Sequence, residues 1–383
     1  MEEHEVAIVG AGPAGSVCAK ELAKAGVDVV LFDHSHPREK PCGGAINGRI
    51  FKEFKIPKKA YETKVDWLIL ENQKGDRVEI HEKNLGIMVM RKKFDQYLLK
   101  EALKEGPSFY EEKVTKISKK NDKWLLETSK NKIMAKTLIG ADGCNSLVRK
   151  TVLMPIPPQY LGHGVGYHIP HKKEHVSKKF KNALELYLLG SPYMNTGYVW
   201  MFPKIDIISV GIGAKVGTPN LVESLHKFMK LHPAANRLNI PKKLKLHAHL
   251  VPFVSNPKFY DLPTTGSNWA LIGDAAAHVN PLTAEGIYYA MLDGKLASKA
   301  YINGDIKLYE NAWRKKFGSD MYIGAQLQKW FYSPKITNTV IKLAKRSKRV
   351  QTLLRNLVAP LESYEKSLSP IFLKTVKISS TFL

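Results

Sequence analysis

The stretch Gly10-Ala11-Gly12-Pro13-Ala14-Gly15 constrains this chain more than any other. Before it, Glu5-Val6-Ala7-Ile8-Val9 reads as a short buried strand; after it, Ser16 to Ala25 has helical composition. Val27-Asp28-Val29-Val30-Leu31-Phe32 is a second apolar strand, and it ends in Asp33. A glycine motif of this spacing becomes specific in that order: strand, turn, helix, strand, acid. Gly10 serves the tight turn, Gly12 lets the backbone approach a pyrophosphate, and Gly15 lets the helix pack close to the sheet. The helix then aims its unpaired N–H groups at phosphates, and Asp33 accepts from ribose hydroxyls. This order predicts a Rossmann-like unit that binds a dinucleotide.

A chain of 383 residues has room for about two domains with sizeable cores. Lys and Arg number 59 against 35 Asp and Glu, a formal charge of +24 that suits acidic partners. The excess is scattered as Lys-Lys pairs (58–59, 119–120 and 315–316 among them), with no zinc-finger spacing or other nucleic-acid motif. Nucleic acid is therefore not an expected partner; anionic lipid headgroups and phosphorylated substrates are. Cys18, Cys42 and Cys144 have neither disulfide nor metal-site spacing and point to a reducing compartment. No apolar run approaches the ~20 residues of a spanning helix, and a strand starting at residue 5 leaves no room for a signal peptide. The expected location is the cytoplasm, or the cytosolic membrane face as a peripheral protein.

Further along, Pro41-Cys42-Gly43-Gly44-Ala45 is too glycine-rich for regular structure and suggests backbone pressed against a flat ligand. Three strands are expected in 65–90, at Val65–Leu70, Arg77–Ile80 and Gly86–Met90. A helix follows from Arg91 to Glu105, with Asp95, Leu98, Leu99 and Ala102 on one face. Arg91, where strand meets helix, is either a ligand contact or a solvated surface arginine. Val114–Ile117 and Trp124–Thr128 look like a hairpin, and the strand Thr137–Ile139 runs into Gly140-Ala141-Asp142-Gly143, with Ser146 and Arg149 beyond. Residues 160–260 alternate short strands and turns around one helix at Leu221–Leu231, which suggests a mostly antiparallel sheet with a helix packed on it. Within them Tyr198, Trp200 and Phe202 alternate, so their rings share one side of a strand. They either form core or line an apolar pocket. The strand Trp269–Ile272 meets Gly273-Asp274, and Gly286 opens a helix from Ile287 to Ile302, again anion-binding architecture. Finally, Ile336, Val340, Leu343, Ala344, Val350, Leu354 and Leu357 form the stripe of one basic amphipathic helix over 335–358. That helix either lies on an anionic membrane or docks on the body.

Gly10–Gly15 with Asp33, Gly140-Ala141-Asp142-Gly143 with Ser146 and Arg149, and Gly273-Asp274 with Gly286 stand in a fixed order. Together they resemble the FAD-dependent oxidoreductases of the p-hydroxybenzoate hydroxylase type over essentially residues 1–305. The resemblance implies FAD as cofactor, with Asp274 on its ribityl and pyrophosphate part. Pro41-Cys42-Gly43-Gly44, Tyr198-x-Trp200-x-Phe202-Pro203 and Asn280-Pro281-Leu282-Thr283-x-Glu285-Gly286-Ile287 are further similar to the geranylgeranyl reductase family, digeranylgeranylglycerophospholipid reductases included. The implied fold is α/β (α+β). A discontinuous FAD-binding domain takes 1–64, 91–159 and 264–310, an antiparallel-sheet substrate domain takes 65–90 and 160–263, and a helical basic segment takes 311–383. The resemblance places Gly10, Gly12, Ala14, Gly15, Asp33, Cys42, Gly43, Ala45, Arg91, Asp274, Gly286 and Ile287 around FAD, and Val114 on a strand near the adenine. Ala277 departs from the pattern, standing where a glycine is common. No metal site is expected.

Family members reduce isolated double bonds of prenyl chains, so the resemblance implies a geranylgeranyl-type lipid or prenyl diphosphate as substrate. Ferredoxin, a deazaflavin or NAD(P)H remain as electron donors, with no pyridine-nucleotide motif visible. A prenyl double bond has no carbonyl to polarise it, so protonation leads or accompanies hydride delivery from reduced flavin N5. Tyr198 and Trp200 are then expected to stabilise developing positive charge, and Cys42 to stand beside the flavin as proton donor. A free thiol, with a pKa of about 8.5, is nevertheless a poor acid for an alkene, and bound water or the flavin itself are the alternative donors. Two other readings share the motifs. One is a flavin-dependent monooxygenase or halogenase acting on a small aromatic, since halogenases also carry a Trp-rich motif ending in Pro. The other is a non-catalytic flavoprotein.

Overall fold

The computed structural model describes residues 2–40, 42–190 and 196–368. Val6, Ala7 and Ile8 lose all contact with water because the strand that carries them, Glu2–Val9, runs through the middle of a seven-stranded sheet. It pairs in parallel with Val29–Phe32 on one side and Lys132–Gly140 on the other. Ser108–Tyr110 extends the first side in parallel. Lys132–Gly140 then splits its outer edge, its early residues pairing antiparallel with Lys123–Glu127 and its last with Trp269–Leu271 in parallel. The helix Pro13–Lys24 packs between Arg91–Leu103 and Ile287–Ile302. Close crossing depends on missing side chains. A Cβ on Gly15 would lie 1.8 Å from the Gly10 carbonyl oxygen, and one on Gly294 would lie 2.4 Å from that of Ala14.

The second sheet has eight strands, in the order His247–Pro252, Leu161–Pro170, Ile207–Lys215, Gly197–Pro203, Ala183–Leu188, Thr63–Asn72, Arg77–Met88 and Ala45–Asn47. All neighbours run antiparallel except Ala183–Leu188 beside Thr63–Asn72, which run parallel. One face buries Tyr167, Val199 and Val210 under the helix Leu221–Leu231. The opposite face carries Leu184, Leu186, Trp200 and Phe202. Because Ala45–Asn47 pairs with Arg77–Met88, the segment after Asp33 crosses from the first sheet to the second. The two strands expected at 77–80 and 86–90 are one, Arg77–Met88; Asn84, at a φ of 58°, takes up the bend inside it.

The single helix expected over 335–358 is two, Pro334–Ala344 and Lys348–Val358. The Ser347 hydroxyl ends the first by capping the second, accepting from the Val350 N–H. This break turns the stripe. Ile341, Ala344, Leu354 and Leu357 are buried against the second sheet, while Ile336 and Leu343 are exposed. The segment is tied down by polar bonds as well: the Tyr364 N–H donates to Asp320 at 2.7 Å and the Gln328 amide donates to the Pro281 carbonyl at 2.7 Å. The end of the basic tail lies outside the described residues. Among those described, no helix is long and apolar enough to cross a membrane.

Candidate active site

A cavity of about 710 Å³ lies between the two sheets and the start of Ile287–Ile302. Its size is within the range of cofactor and ligand sites. One end is polar. There Asp33 accepts from the Ala11 and Ser35 N–H groups, both at 2.8 Å, with Arg38 and the Ser35 hydroxyl alongside. Burial alone would raise the Asp33 carboxyl, but Ser35, Arg38 and the Ala11 N–H outweigh it and hold the group below the usual carboxylate range. It is therefore charged, a ready acceptor for hydroxyls. Val114 lines this end too, from the coil just before Lys116–Lys120 rather than from a strand.

In the middle, Gly10, Gly12 and Ala14 present the turn and first helical residues. A Cβ on Gly12 would meet nothing nearer than the Arg38 guanidinium at 3.9 Å, so the space over it is open to a ligand. Gly15 does not line the cavity; it packs beneath the turn. Asp274 faces Lys40 across 3.1 Å, with Gly286 and Ile287 beside it. Burial pushes the Asp274 carboxyl up, yet Lys40, His249 and Arg91 together hold it low. His249 reaches the same region from His247–Pro252. Its Nε2 is buried without a partner among the described residues, and burial beside Lys40 pushes the imidazole down to about 3. Arg91 is neither solvated nor free: it lines the cavity while Nε and Nη2 grip Asp95 at 2.8 and 2.6 Å. Breaking one half of so buried a pair costs about 3–5 kcal/mol.

The far end is apolar, walled by Leu184, Leu186, Tyr198, Trp200, Phe202 and Phe253. The three rings are thus both core and lining. The Trp200 indole lies over a floor of glycines, since a Cβ on its cross-strand neighbour Gly211 would sit 2.1 Å from the ring. Cys42, Gly43 and Ala45 form the wall between this compartment and the charged middle. Cys42 is half-buried, and its sulfur accepts from the Gly44 N–H at 3.3 Å. Glu285 lines the cavity next to this wall, accepting from the Asn47 backbone N–H at 2.8 Å and side-chain amide at 2.6 Å. Burial pushes its carboxyl up to about 7 against those hydrogen bonds.

Three residues of the site escape sequence reasoning: Lys40, His249 and Glu285. Glu285 lies inside the Asn280–Ile287 motif but carries no assigned role there. Lys40 and His249 leave no local signal, because their partners are remote in sequence. The site fits FAD on its own terms. A helix N-terminus and the Lys40 ammonium offer positive ends for phosphates, Asp33 offers an acceptor for ribose, and the unpartnered His249 Nε2 offers one more hydrogen bond.

Comparison with known proteins agrees with that geometry. The sequence profile described as "FAD binding domain" matches residues 3–163. The digeranylgeranylglycerophospholipid reductase of Methanocaldococcus jannaschii is 30% identical over 334 residues, covering 82% of this chain and 83% of the relative. The geranylgeranyl diphosphate reductase of Synechocystis is 28% identical over 356 residues, covering 85% of each. A geranylgeranyl bacteriochlorophyll reductase-like crystal structure from Thermoplasma acidophilum superposes over the whole of both chains with a TM-score of 0.78 at 21% identity. The flavin-dependent brominase Bmp2, at a TM-score of 0.75 and 18% identity, shares the fold. Fold alone therefore does not separate reductase from halogenase, and it is the sequence relatives that favour the reductase. This chain, with its FAD cavity between two sheets, belongs to the geranylgeranyl reductase family of FAD-dependent oxidoreductases.

Proposed function

We propose that this enzyme saturates isolated C=C bonds of a geranylgeranyl-type prenyl chain, carried as a lipid or a diphosphate. The observation that carries this reading is the composition of the cavity. A compartment of Leu, Trp, Phe and Tyr side chains opens onto the Cys42–Ala45 wall of a charged nucleotide site, and suits an apolar chain that must meet a redox cofactor. FAD, once reduced by an external donor, supplies the hydride. The chain's own residues hold the alkene, exclude water and provide the proton. The faces of Tyr198 and Trp200 stabilise developing positive charge by roughly 0.5–2 kcal/mol each. Cys42 is one acid within reach of the compartment, and Glu285, with its raised carboxyl, is the second.

The test is anaerobic single turnover. Dithionite-reduced holoenzyme, freed of excess dithionite and mixed with geranylgeranyl diphosphate or a digeranylgeranyl lipid, is expected to yield product heavier by one pair of hydrogens per reduced flavin. No mass gain in either substrate, with oxygen-dependent NADPH consumption on a small aromatic instead, would favour the monooxygenase or halogenase reading. Cys42→Ser is expected to slow the single turnover; an unchanged rate removes Cys42 from the chemical step and leaves Glu285, bound water or the flavin itself.

A peripheral membrane contact belongs to the same proposal. Trp330, Ile336 and Leu343 are 39%, 41% and 53% exposed, among the exposed cations Lys329, Lys335, Lys342 and Arg346. Tyr332 and Val358, from the same helical segment, line the cavity. An apolar face ringed by Lys and Arg suits an anionic lipid surface, and so positioned it would take a lipid substrate without full exposure to water.

A further inference from the structure

The alternation that sets Tyr198, Trp200 and Phe202 on one side of Gly197–Pro203 continues one step further, and the next residue on that side is Lys204. Lys204 is 1% exposed. Its Nζ donates to the Gly43 carbonyl at 2.9 Å, and among the described residues it forms no ion pair. The charged and titratable groups that act on it are Cys42 and Glu39 from the loop, Glu62 from the start of the second sheet, and His168 from Leu161–Pro170. Both carboxylates are already engaged: Glu39 by the Arg91 and Lys92 N–H groups, and Glu62 by Lys93 at 3.0 Å. Burial pushes the Lys204 ammonium down to about 8. An apolar side chain of the same length would avoid the cost of burying a charge here, so packing does not account for the residue.

The bond it makes does. The Gly43–Gly44 peptide has its carbonyl on Lys204 and its N–H on the Cys42 sulfur at 3.3 Å. The rest of the loop is fixed around that peptide. The Phe202 ring occupies the space of a Gly43 side chain, 2.5 Å from where its Cβ would lie, and the Val89 N–H donates to the Gly44 carbonyl at 2.7 Å. We propose that Lys204 is a positioning residue: through the Gly43–Gly44 peptide its ammonium holds the Cys42 thiol against the cavity, and it places a positive charge behind the Cys42–Ala45 wall of the cavity that would hold FAD. Fixing the peptide fixes the N–H donor on the sulfur, and with it the direction in which the thiol points. A buried positive charge favours the more electron-rich, reduced state of a nearby cofactor. The inference rests on FAD binding and not on the identity of the substrate.

The experiment uses holoenzyme of the wild type, Lys204→Met and Lys204→Gln. Met keeps length and loses donor and charge; Gln keeps a donor and loses charge. Native alkylation of Cys42 by iodoacetamide, located by peptide mapping, is expected to slow in Lys204→Met by roughly two- to tenfold, the range that one hydrogen bond carries. Lys204→Gln is expected to recover most of that rate. The flavin midpoint potential is expected to fall in both variants, because both lose the charge. Wild-type alkylation rates and potentials in both variants would overturn the proposal. If Lys204→Met does not fold, Lys204→Gln still decides it, through a lowered potential or an unchanged one. Failure of the wild type to reduce prenyl chains would sink the substrate reading and leave these readouts standing.

Discussion

Glu285 and Asp33 are both carboxylates on one cavity, and their acidities shift in opposite directions. Asp33 receives two backbone N–H groups with Arg38 beside it, and is held charged. Among the described residues Glu285 accepts from Asn47 alone, and burial wins, lifting it from 4.5 to about 7. Between those values the folded protein binds more protons than the unfolded chain, so stability falls as pH rises through that window. Glu285→Gln removes this component. Its melting temperature is expected to gain on the wild type between about pH 4.5 and 7, and a gap that stays flat with pH would mean the raised acid is absent. Asp33→Asn, which replaces a charged acceptor, is expected to weaken FAD retention by roughly ten- to a hundredfold in equilibrium dialysis. The two residues also differ in legibility. Asp33 is announced by the strand before it. Glu285 and Lys204 are not, because their roles come from burial, and nothing local in a sequence marks a lysine or a glutamate as buried.

Among the elements, the strand Gly197–Pro203 shows how far period alone reaches. Alternation gives the shared face of Tyr198, Trp200 and Phe202, but not what lies under it. The floor is supplied by Gly211 and its neighbours on Ile207–Lys215, brought there by register. Gly211→Ala would push the indole off that floor. Loss of prenyl turnover with FAD still bound is the expected outcome, measured by product mass and by flavin absorbance. Strand direction is illegible for a similar reason: alternation is the same in either sense, so the parallel pairing of Ala183–Leu188 with Thr63–Asn72 has no local signature. The stripe over 335–358 misleads because its apolar spacing runs on through Ser347, where the cap resets the helix. With Leu354 and Leu357 in the core, removing that segment would damage the fold. The membrane reading is better tested by Trp330→Ser, Ile336→Ser and Leu343→Ser together, expected to lower partition onto anionic vesicles with the melting temperature little changed. Equal partition would leave that face without a lipid role.

At the scale of the whole molecule, the order of the three glycine-bearing motifs already determines which sheet forms the nucleotide site, since each ends a central strand of that sheet or opens a helix beside it. The second sheet is less legible, because it is assembled from strands between 45 and 252 whose pairings are long-range. Both sheets contribute to a single cavity, so cofactor binding couples them. Saturating FAD is expected to raise the melting temperature by mass action, by about 2.7 kcal/mol of added stability at a hundredfold excess over Kd. A calorimetric scan with and without FAD reads this directly. The scattered +24 charge leaves long-range attraction for anionic ligands over much of the surface, and the cavity's own charges act after that.

One of those charge pairs has a kinetic meaning. Lys40 and Asp274, 234 residues apart in the chain, clasp each other across the middle of the cavity. A pyrophosphate bound there would compete for that lysine, and ribityl hydroxyls for that aspartate, so loading would trade one set of partners for another. Salt barely screens a pair this buried but does screen the long-range pull of the surface charge, so added salt is expected to slow uptake of the yellow cofactor in stopped flow, whereas Lys40→Met, which opens the clasp outright, is expected to weaken the final hold.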